Sequence, residues 1–288
     1  IINVEEFPHP KNKNDSFIFT DGFFQNTKNK DEKFKILEYS ENLEGWSEGH
    51  TEIINDHIGN KHPIDVASRD MCKYLLKKNN VKNSKIVLEI GCSNGNLINH
   101  VNSIDNLKYI GSDVIKKPIK KLAEIYNNNP FIIFDILKNP FSKGICDFLI
   151  MLNVLEHIDD DVSALVEANK LLKKDGLLIL EVPSCKFLYD DYDKKLLHFR
   201  RYNMKELIKK IEGAGFIIEK KTHLGFILFP IFSVVKIINK FIKRKNIVVS
   251  HANASNNILV QVLFEIEKKL RNYSLPFGIR CFVCARKK

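Results

Sequence analysis

The sequence predicts a doubly wound α/β fold, in which helices cover both faces of a mostly parallel sheet. Residues 85–90, 107–113 and 131–136 are short apolar runs typical of buried parallel strands, and the segments between them have helical spacing. The first run passes directly into a turn that contains Gly91 and Gly95, and a predicted helix follows. A strand, a glycine turn and a helix N-terminus together form a nucleotide-sized pocket at the carboxyl end of a sheet.

Composition limits the class of protein without identifying a partner. The 288 residues are 44% hydrophobic and 28% charged, a balance typical of a folded globular protein. The net charge of +10 comes from lysines scattered along the chain, and a Lys- and Asn-rich background explains it as well as a nucleic-acid or membrane partner does. We recognise no nucleic-acid-binding module and expect no nucleic-acid partner. Six cysteines without a disulfide framework, and no recognisable signal peptide, predict a cytoplasmic protein.

Acidic residues mark the ends of the three predicted strands. Glu89, Asp113 and Asp135 follow one another at nearly equal intervals. Because adjacent parallel strands end side by side, Asp113 is expected beside Gly91, where its carboxylate could accept hydrogen bonds from two ribose hydroxyls. A role as the cap of the following helix is the alternative, and we favour the ribose role. The spacing around Gly91 and Gly95 lacks the third glycine of a dinucleotide fingerprint, and an acid at the turn would repel a pyrophosphate.

These motifs resemble those of the class I S-adenosylmethionine (SAM)-dependent methyltransferases. The run NVLEHI from Asn153, and the run LLKKDGLLILEVP from Leu171, are similar to methyltransferases of small molecules, quinones and lipids, among them the ubiquinone-biosynthesis O-methyltransferases. The resemblance covers about residues 65–222 and the last strand. It implies a Rossmann-like sheet of seven strands with an antiparallel last strand. It also implies SAM as the cofactor, bound by Glu89, Gly91, Cys92, Gly95, Asp113, Val114, Asp135, Ile136 and Asn153.

Two histidines are candidate catalytic bases. His157 lies in the NVLEHI run and His198 in a His-x-Arg-Arg-Tyr run, and an unperturbed imidazole titrates near neutral pH. A structural role, in which Glu156 and His157 fix the loop, remains open. In the ubiquinone-type relatives this Glu-His pair joins an earlier glutamate around a magnesium ion. Asn153 occupies the position of that glutamate here, and we therefore predict no metal ion.

Candidate acceptor-binding residues lie on both sides of the predicted core. Arg200, Arg201 and Tyr202 follow His198 and could reach an anionic or hydroxylated acceptor, or could form a cationic loop packed on the tyrosine. In related methyltransferases the segment before the first core strand closes over SAM. Trp46 lies in that segment and is a further candidate, with structural packing as the alternative.

The chain divides into four predicted segments: an N-terminal extension (1–63), a SAM-binding core (64–222), a helical insert (223–275) and a last core strand (276–288). We expect the extension to be loosely ordered or to form a strap. The apolar run 226–235, with Lys236, Lys240 and residues 243–245 after it, is too short to span a membrane. It could form an interfacial helix that contacts anionic lipid, or a lid over the active site.

The sequence therefore predicts a SAM-dependent methyltransferase that acts on a small-molecule or lipid-linked acceptor, on an oxygen atom. It is expected in the cytoplasm with a peripheral contact to the membrane surface. One alternative is a non-catalytic, methyltransferase-like membrane adaptor. The other, an NAD(P)-dependent dehydrogenase, is disfavoured by the missing third glycine and by Glu89.

Overall fold

The computed structural model describes residues 6–12, 14–40, 62–79, 84–142, 144–242 and 258–288. The strands of these residues are β1 (Glu6–Pro8), β2 (Ser16–Thr20), β3 (Phe23–Asn26), β4 (Lys33–Phe34), β5 (Leu37–Glu38), β6 (Lys85–Ile90), β7 (Leu107–Asp113), β8 (Phe131–Ile133), β9 (Cys146–Leu152), β10 (Leu172–Pro183), β11 (Phe216–Leu224) and β12 (Arg280–Lys287). The helices are α1 (Pro63–Asn79), α2 (Ile98–Asn102), α3 (Lys116–Ile125), α4 (Asp161–Leu171), α5 (Asp191–Lys195), α6 (Met204–Gly213), α7 (Phe229–Ile242) and α8 (Ile258–Lys269).

The central sheet has the strand order β11-β12-β10-β9-β6-β7-β8-β5. Its interior strands β6 to β10 pair in parallel, and β12 pairs antiparallel with both β10 and β11. This arrangement confirms the predicted Rossmann-like fold with an antiparallel last strand. The prediction of seven strands missed β5, which pairs in parallel with β8 at one edge. Two residues are too few to show a strand periodicity in the sequence.

The alternating side chains of the central strands build a core on each face of the sheet. In β6, Leu88 and Ile90 pack in one buried cluster, whereas Val87 packs in the other. Cys281 and Cys284 of β12 follow the same rule and lie in opposite clusters. An odd separation along a strand places two side chains on opposite faces, so these cysteines pack in the core rather than forming a joint metal site.

The N-terminal extension contains an antiparallel sheet of order β1-β2-β3-β4, so the expectation of loose order is wrong for its described part. Asp21 and Gly22, with φ of 50° and 80°, form the tight connection between β2 and β3. An Asp-Gly pair between alternating apolar residues is a hairpin signal that the composition argument overlooked. Phe7 and Phe24 pack edge to face with ring centroids 5.0 Å apart, and Phe7 also packs edge to face against Phe141 of the core at 6.3 Å, which joins this small sheet to the core.

The insert before the last strand consists of α7 and α8. Pro230 lies in the first turn of α7, where proline is tolerated, and does not interrupt the helix. Lys236 was expected to face anionic headgroups, but it is buried and pairs with Asp190 at 2.7 Å and with Asp193 at 3.2 Å. The basic residues 243–245 lie outside the described residues. Among the described helices, none is long and apolar enough to cross a membrane.

Candidate cofactor site and active site

The turn after β6 has room only for glycine at two positions. Gly91 and Gly95 have φ of +74° and +73°, a conformation that strains any residue with a Cβ. A Cβ on Gly91 would lie 2.5 Å from Cγ2 of Val154, and one on Gly95 would lie 2.6 Å from Cδ2 of Leu122. The backbone of the turn therefore packs closely against Val154, which follows β9, and against Leu122 of α3.

Asp113 lies at the end of β7 and holds this turn. Its carboxylate accepts hydrogen bonds from the N–H of Ser93 at 2.9 Å and from the N–H of Ile115 at 3.0 Å. Burial raises the pKa of Asp113, and these two N–H groups act in the opposite direction. A carboxylate has about four acceptor positions, so two remain for a ligand. The following helix begins at Lys116 with Ile115 as its N-cap and no side-chain cap, so the alternative role of Asp113 as a helix cap is wrong, and the ribose role stays a prediction.

The other acids at the strand ends differ in their surroundings. Glu89 is buried and accepts a hydrogen bond from the hydroxyl of Tyr109, and burial raises the pKa of Glu89 to about 7. Asp135 follows β8 and accepts a hydrogen bond from the N–H of Leu137 at 3.0 Å. Ile136, which was expected to cover an adenine ring, packs in the core, whereas Leu137 is 40% exposed. Cys92 is buried and Val114 half-buried. Trp46 lies outside the described residues.

Asn153, after β9, is fixed by a buried ion pair that the sequence reasoning missed. Its φ is +53°, and its Nδ2 donates to Oε1 of Glu181 at 3.1 Å. Glu181 also accepts hydrogen bonds from Nη1 of Arg280 at 2.7 Å and from the hydroxyl of Ser68. Glu181 ends a parallel strand just as Glu89 and Asp113 do, and that repeated pattern could have identified it.

His157 and His198 are brought together as neighbours. The planes of their rings meet at 74° with centroids 4.6 Å apart. One ring nitrogen of each histidine lies within 4.8 Å of a carboxylate oxygen of Glu156. Neither carboxylate oxygen of Glu156 accepts a hydrogen bond from the part of the chain that the structure describes. Burial raises the pKa of Glu156 to about 8, and burial together with His198 lowers the pKa of His157 to about 3.

Asp193 orients His198 and was not predicted. Nδ1 of His198 lies 3.1 Å from Oδ1 of Asp193, which is fully buried, so Nε2 is the ring nitrogen that remains for a reactant. Asp193 stands five residues before His198 in an acidic run, and that run was the available signal. A His–Asp pair of this kind fixes the imidazole tautomer and holds the ring in place.

The three residues proposed for acceptor binding after His198 contact other protein groups. Nε of Arg201 donates to both carboxylate oxygens of Asp193, at 2.8 and 2.9 Å. Arg200 pairs with Asp161 at 3.1 Å, and the buried hydroxyl of Tyr202 donates to the same carboxylate at 2.9 Å. These contacts hold the three side chains against acidic groups of the fold, and their role in acceptor binding stays a prediction.

A sequence profile of the methyltransferase domain matches residues 65–216, slightly more than half of the chain. The chain belongs to the methyltransferase domain family. This methyltransferase is SAM-dependent, and SAM is its cofactor. The family match disfavours both the dehydrogenase and the non-catalytic adaptor. No curated protein matches the chain in sequence.

Solved structures agree on the fold. SAM-bound phosphoethanolamine N-methyltransferase 2 from Haemonchus contortus aligns with a TM-score of 0.52 and 13% identity, over 84% of this chain and 60% of that chain. A TehB-like SAM-dependent methyltransferase from Corynebacterium glutamicum aligns with a TM-score of 0.51 and 12% identity, over 84% of this chain and 100% of that chain. The [4+2]-cyclase SpnF aligns with a TM-score of 0.51 and 16% identity, over 76% of this chain and 80% of that chain. At sequence identities this low, the similarity shows only that the chains share a fold.

Proposed function

We propose that this methyltransferase transfers the methyl group of SAM to an oxygen atom of a small, hydrophobic or lipid-linked acceptor. The observation that carries the proposal is the buried His198–Asp193 pair, which leaves Nε2 of His198 for a proton. An acceptor hydroxyl must lose its proton when its oxygen is methylated, and a positioned imidazole can take that proton.

The proposed cofactor site lies at the carboxyl ends of β6, β7 and β8, where the residues fit SAM. The two glycines allow the turn its positive φ angles, and Asp113 has acceptor capacity for the ribose hydroxyls. The second carboxylate oxygen of Asp135 would accept from the adenine amino group, and Leu137 replaces Ile136 as the exposed apolar side chain beside it. The remaining members of the proposed site are Glu89, Cys92, Val114 and Asn153.

In this proposal the protein mainly aligns the acceptor oxygen with the methyl group of SAM. SAM carries an already activated methyl group, so its transfer to a nucleophile needs an in-line approach more than further activation. As the new O–C bond forms, the C–S bond breaks and its electron pair stays on sulfur, which yields S-adenosylhomocysteine. The hydroxyl proton would move to Nε2 of His198, and Asp193 would stabilise the resulting imidazolium.

The surroundings of the two histidines proposed as bases support different roles for them. Because burial and His198 lower the pKa of His157 to about 3, His157 is a weak proton acceptor at neutral pH. His157 would therefore pack against His198 and fix its ring, which leaves His198 as the base. The absence of a metal requirement stays a prediction.

Exposed apolar side chains of the insert support a hydrophobic acceptor and a peripheral membrane contact. Those with at least 40% exposure on α7 and α8 are Ile231, Val234, Ile237, Ile238, Ile258, Leu259, Val262 and Ile266. Helix α7 also reaches the catalytic pair, since Lys236 contacts Asp193. Lys236 is not available to lipid headgroups, so the apolar side chains would carry most of the contact.

We expect the protein to co-sediment with vesicles of phosphatidylserine and phosphatidylcholine at low salt. Replacing both Ile231 and Val234 with serine should lower vesicle affinity by about 30-fold, because the two apolar side chains together stabilise a buried state by roughly 2 kcal/mol. The matched control replaces Val162 and Val166, exposed on α4, with serine. Equal sedimentation of both double variants and the wild type would show that the insert does not contact lipid.

The acceptor is identified by mass spectrometry of cell extract incubated with the protein and SAM carrying a deuterated methyl group. We expect a gain of one labelled methyl in a compound that partitions into organic solvent, released by ether or ester cleavage because it is bound to oxygen. A label bound to nitrogen or carbon would contradict O-methylation. A label found only in protein or nucleic acid would contradict a small-molecule acceptor.

A further inference from the structure

One buried carboxylate connects the insert to the candidate base. Asp193 is fully buried and bonds Nδ1 of His198, Nε of Arg201 and Nζ of Lys236, at 3.1, 2.8 and 3.2 Å. Arg201 follows His198 closely in the chain, but Lys236 comes from α7, which is part of the insert. Nζ of Lys236 also contacts Asp190, the residue that caps α5, at 2.7 Å.

We propose that Asp193 is the positioning residue of His198, and that Lys236 of α7 sets the strength with which Asp193 acts on it. The insert helix is then a working part of the active site as well as its cover. This inference rests on the proposed function, because it assigns His198 the role of base.

The charges around the pair have opposing effects. Ionised Asp193 stabilises the imidazolium of His198, whereas the positive charges of Lys236 and Arg201 oppose protonation of that ring. Burial alone would raise the pKa of Asp193, but the hydrogen bonds from His198 and Arg201 and the charge of Lys236 hold it well below its usual range. Asp193 is therefore ionised throughout the neutral range. Among the described residues, Glu156, His157, Asp190 and Tyr192 are further titratable groups close to the His198–Asp193–Lys236 cluster.

A docked α7 consequently favours the neutral, proton-accepting form of His198. Withdrawal of Lys236 would leave Asp193 with less opposing charge and would favour the protonated, inactive form. The base is thus competent when α7 lies in place and Lys236 contacts Asp193. A purely structural Lys236 would anchor the helix without changing the protonation of His198.

The test measures the titration midpoint of His198 by NMR in full-length protein labelled with ¹⁵N-histidine, in buffer that contains a chelator. Loss of the resonance in His198→Gln assigns the signal. Asp193→Asn removes the negative charge but keeps an oxygen acceptor, and should move the midpoint down by about one pH unit or more. Lys236→Met removes a positive charge and should move it up by about half a unit.

Two further variants keep the result interpretable. Lys236→Arg retains the charge and should leave the midpoint near that of the wild type. Lys194→Met removes an exposed lysine of α5 that pairs with Asp191 at 3.0 Å, and should also leave it unchanged. If Lys236→Met does not fold, as judged by thermal unfolding, Lys236→Gln replaces it.

Opposite shifts in Asp193→Asn and Lys236→Met would support the proposal. An unchanged midpoint in either variant, or shifts of the same sign, would overturn it. The measurement needs no acceptor, so its outcome is independent of whether the protein methylates oxygen. Opposite shifts in a protein that methylates only nitrogen or carbon would refute the proposed function and leave the charge relation intact.

Discussion

Replacing Asp113 with alanine is expected to weaken SAM binding by about 100-fold or more. The carboxylate has capacity for two charge-assisted hydrogen bonds from the ribose, and each such bond contributes roughly 1.5–3 kcal/mol. Loss of both therefore costs about 3 kcal/mol at least, and every 1.4 kcal/mol is a factor of ten in affinity. Isothermal titration calorimetry at fixed salt and pH measures the change.

Two comparisons separate ribose binding from a general loss of structure. Asp113→Asn keeps one oxygen acceptor for the N–H groups of Ser93 and Ile115, and should lose less affinity than the alanine variant. Glu124→Ala removes an exposed carboxylate from α3 and should bind SAM like the wild type. Thermal unfolding shows whether the variants fold. Unchanged affinity in Asp113→Ala would contradict the ribose assignment.

Replacing His198 with alanine is expected to lower turnover by about 100-fold while SAM affinity stays the same, because general base catalysis typically contributes a factor of this size or more. His157→Ala should have a smaller effect, since burial keeps the pKa of His157 at about 3 and its proposed role is to support the neighbouring ring. The measurement is the initial rate of S-adenosylhomocysteine release with the methyl-accepting fraction of cell extract. SAM affinity is determined in parallel by calorimetry.

The two histidine variants together show whether the reaction uses a histidine as its base. A loss of less than a few-fold in both would show that the histidines are structural and that alignment alone supports transfer. A loss of SAM affinity equal to the loss of turnover would place His198 in cofactor binding instead of proton transfer.

The cofactor end of the site was predictable because its signals are local. Glu89, Gly91 and Asp113 lie at strand ends or in the turn that follows, and parallel pairing brings such ends together whatever the rest of the chain does. The short apolar runs were enough to place β6 and β7 with the bounds that the structure shows. The residues that form the sequence motif are therefore the same residues that form this end of the site.

The acceptor end was less predictable because its contacts join distant parts of the chain. Asp193 and Lys236 are separated by 43 positions, and Glu181 and Arg280 by 99. No periodicity specifies that α7 packs beside α5, so Lys236 was expected to face solvent or lipid. A buried lysine needs a carboxylate partner, and only the folded chain shows which one.

The central claim is that the protein turns SAM over on a small molecule instead of only binding it. The most direct test is the yield of S-adenosylhomocysteine when the wild-type protein is incubated with labelled SAM and the small-molecule fraction of cell extract. The account predicts one S-adenosylhomocysteine for each labelled methyl recovered in an organic-soluble product. Tight SAM binding without S-adenosylhomocysteine release, in any fraction of the extract, would contradict it.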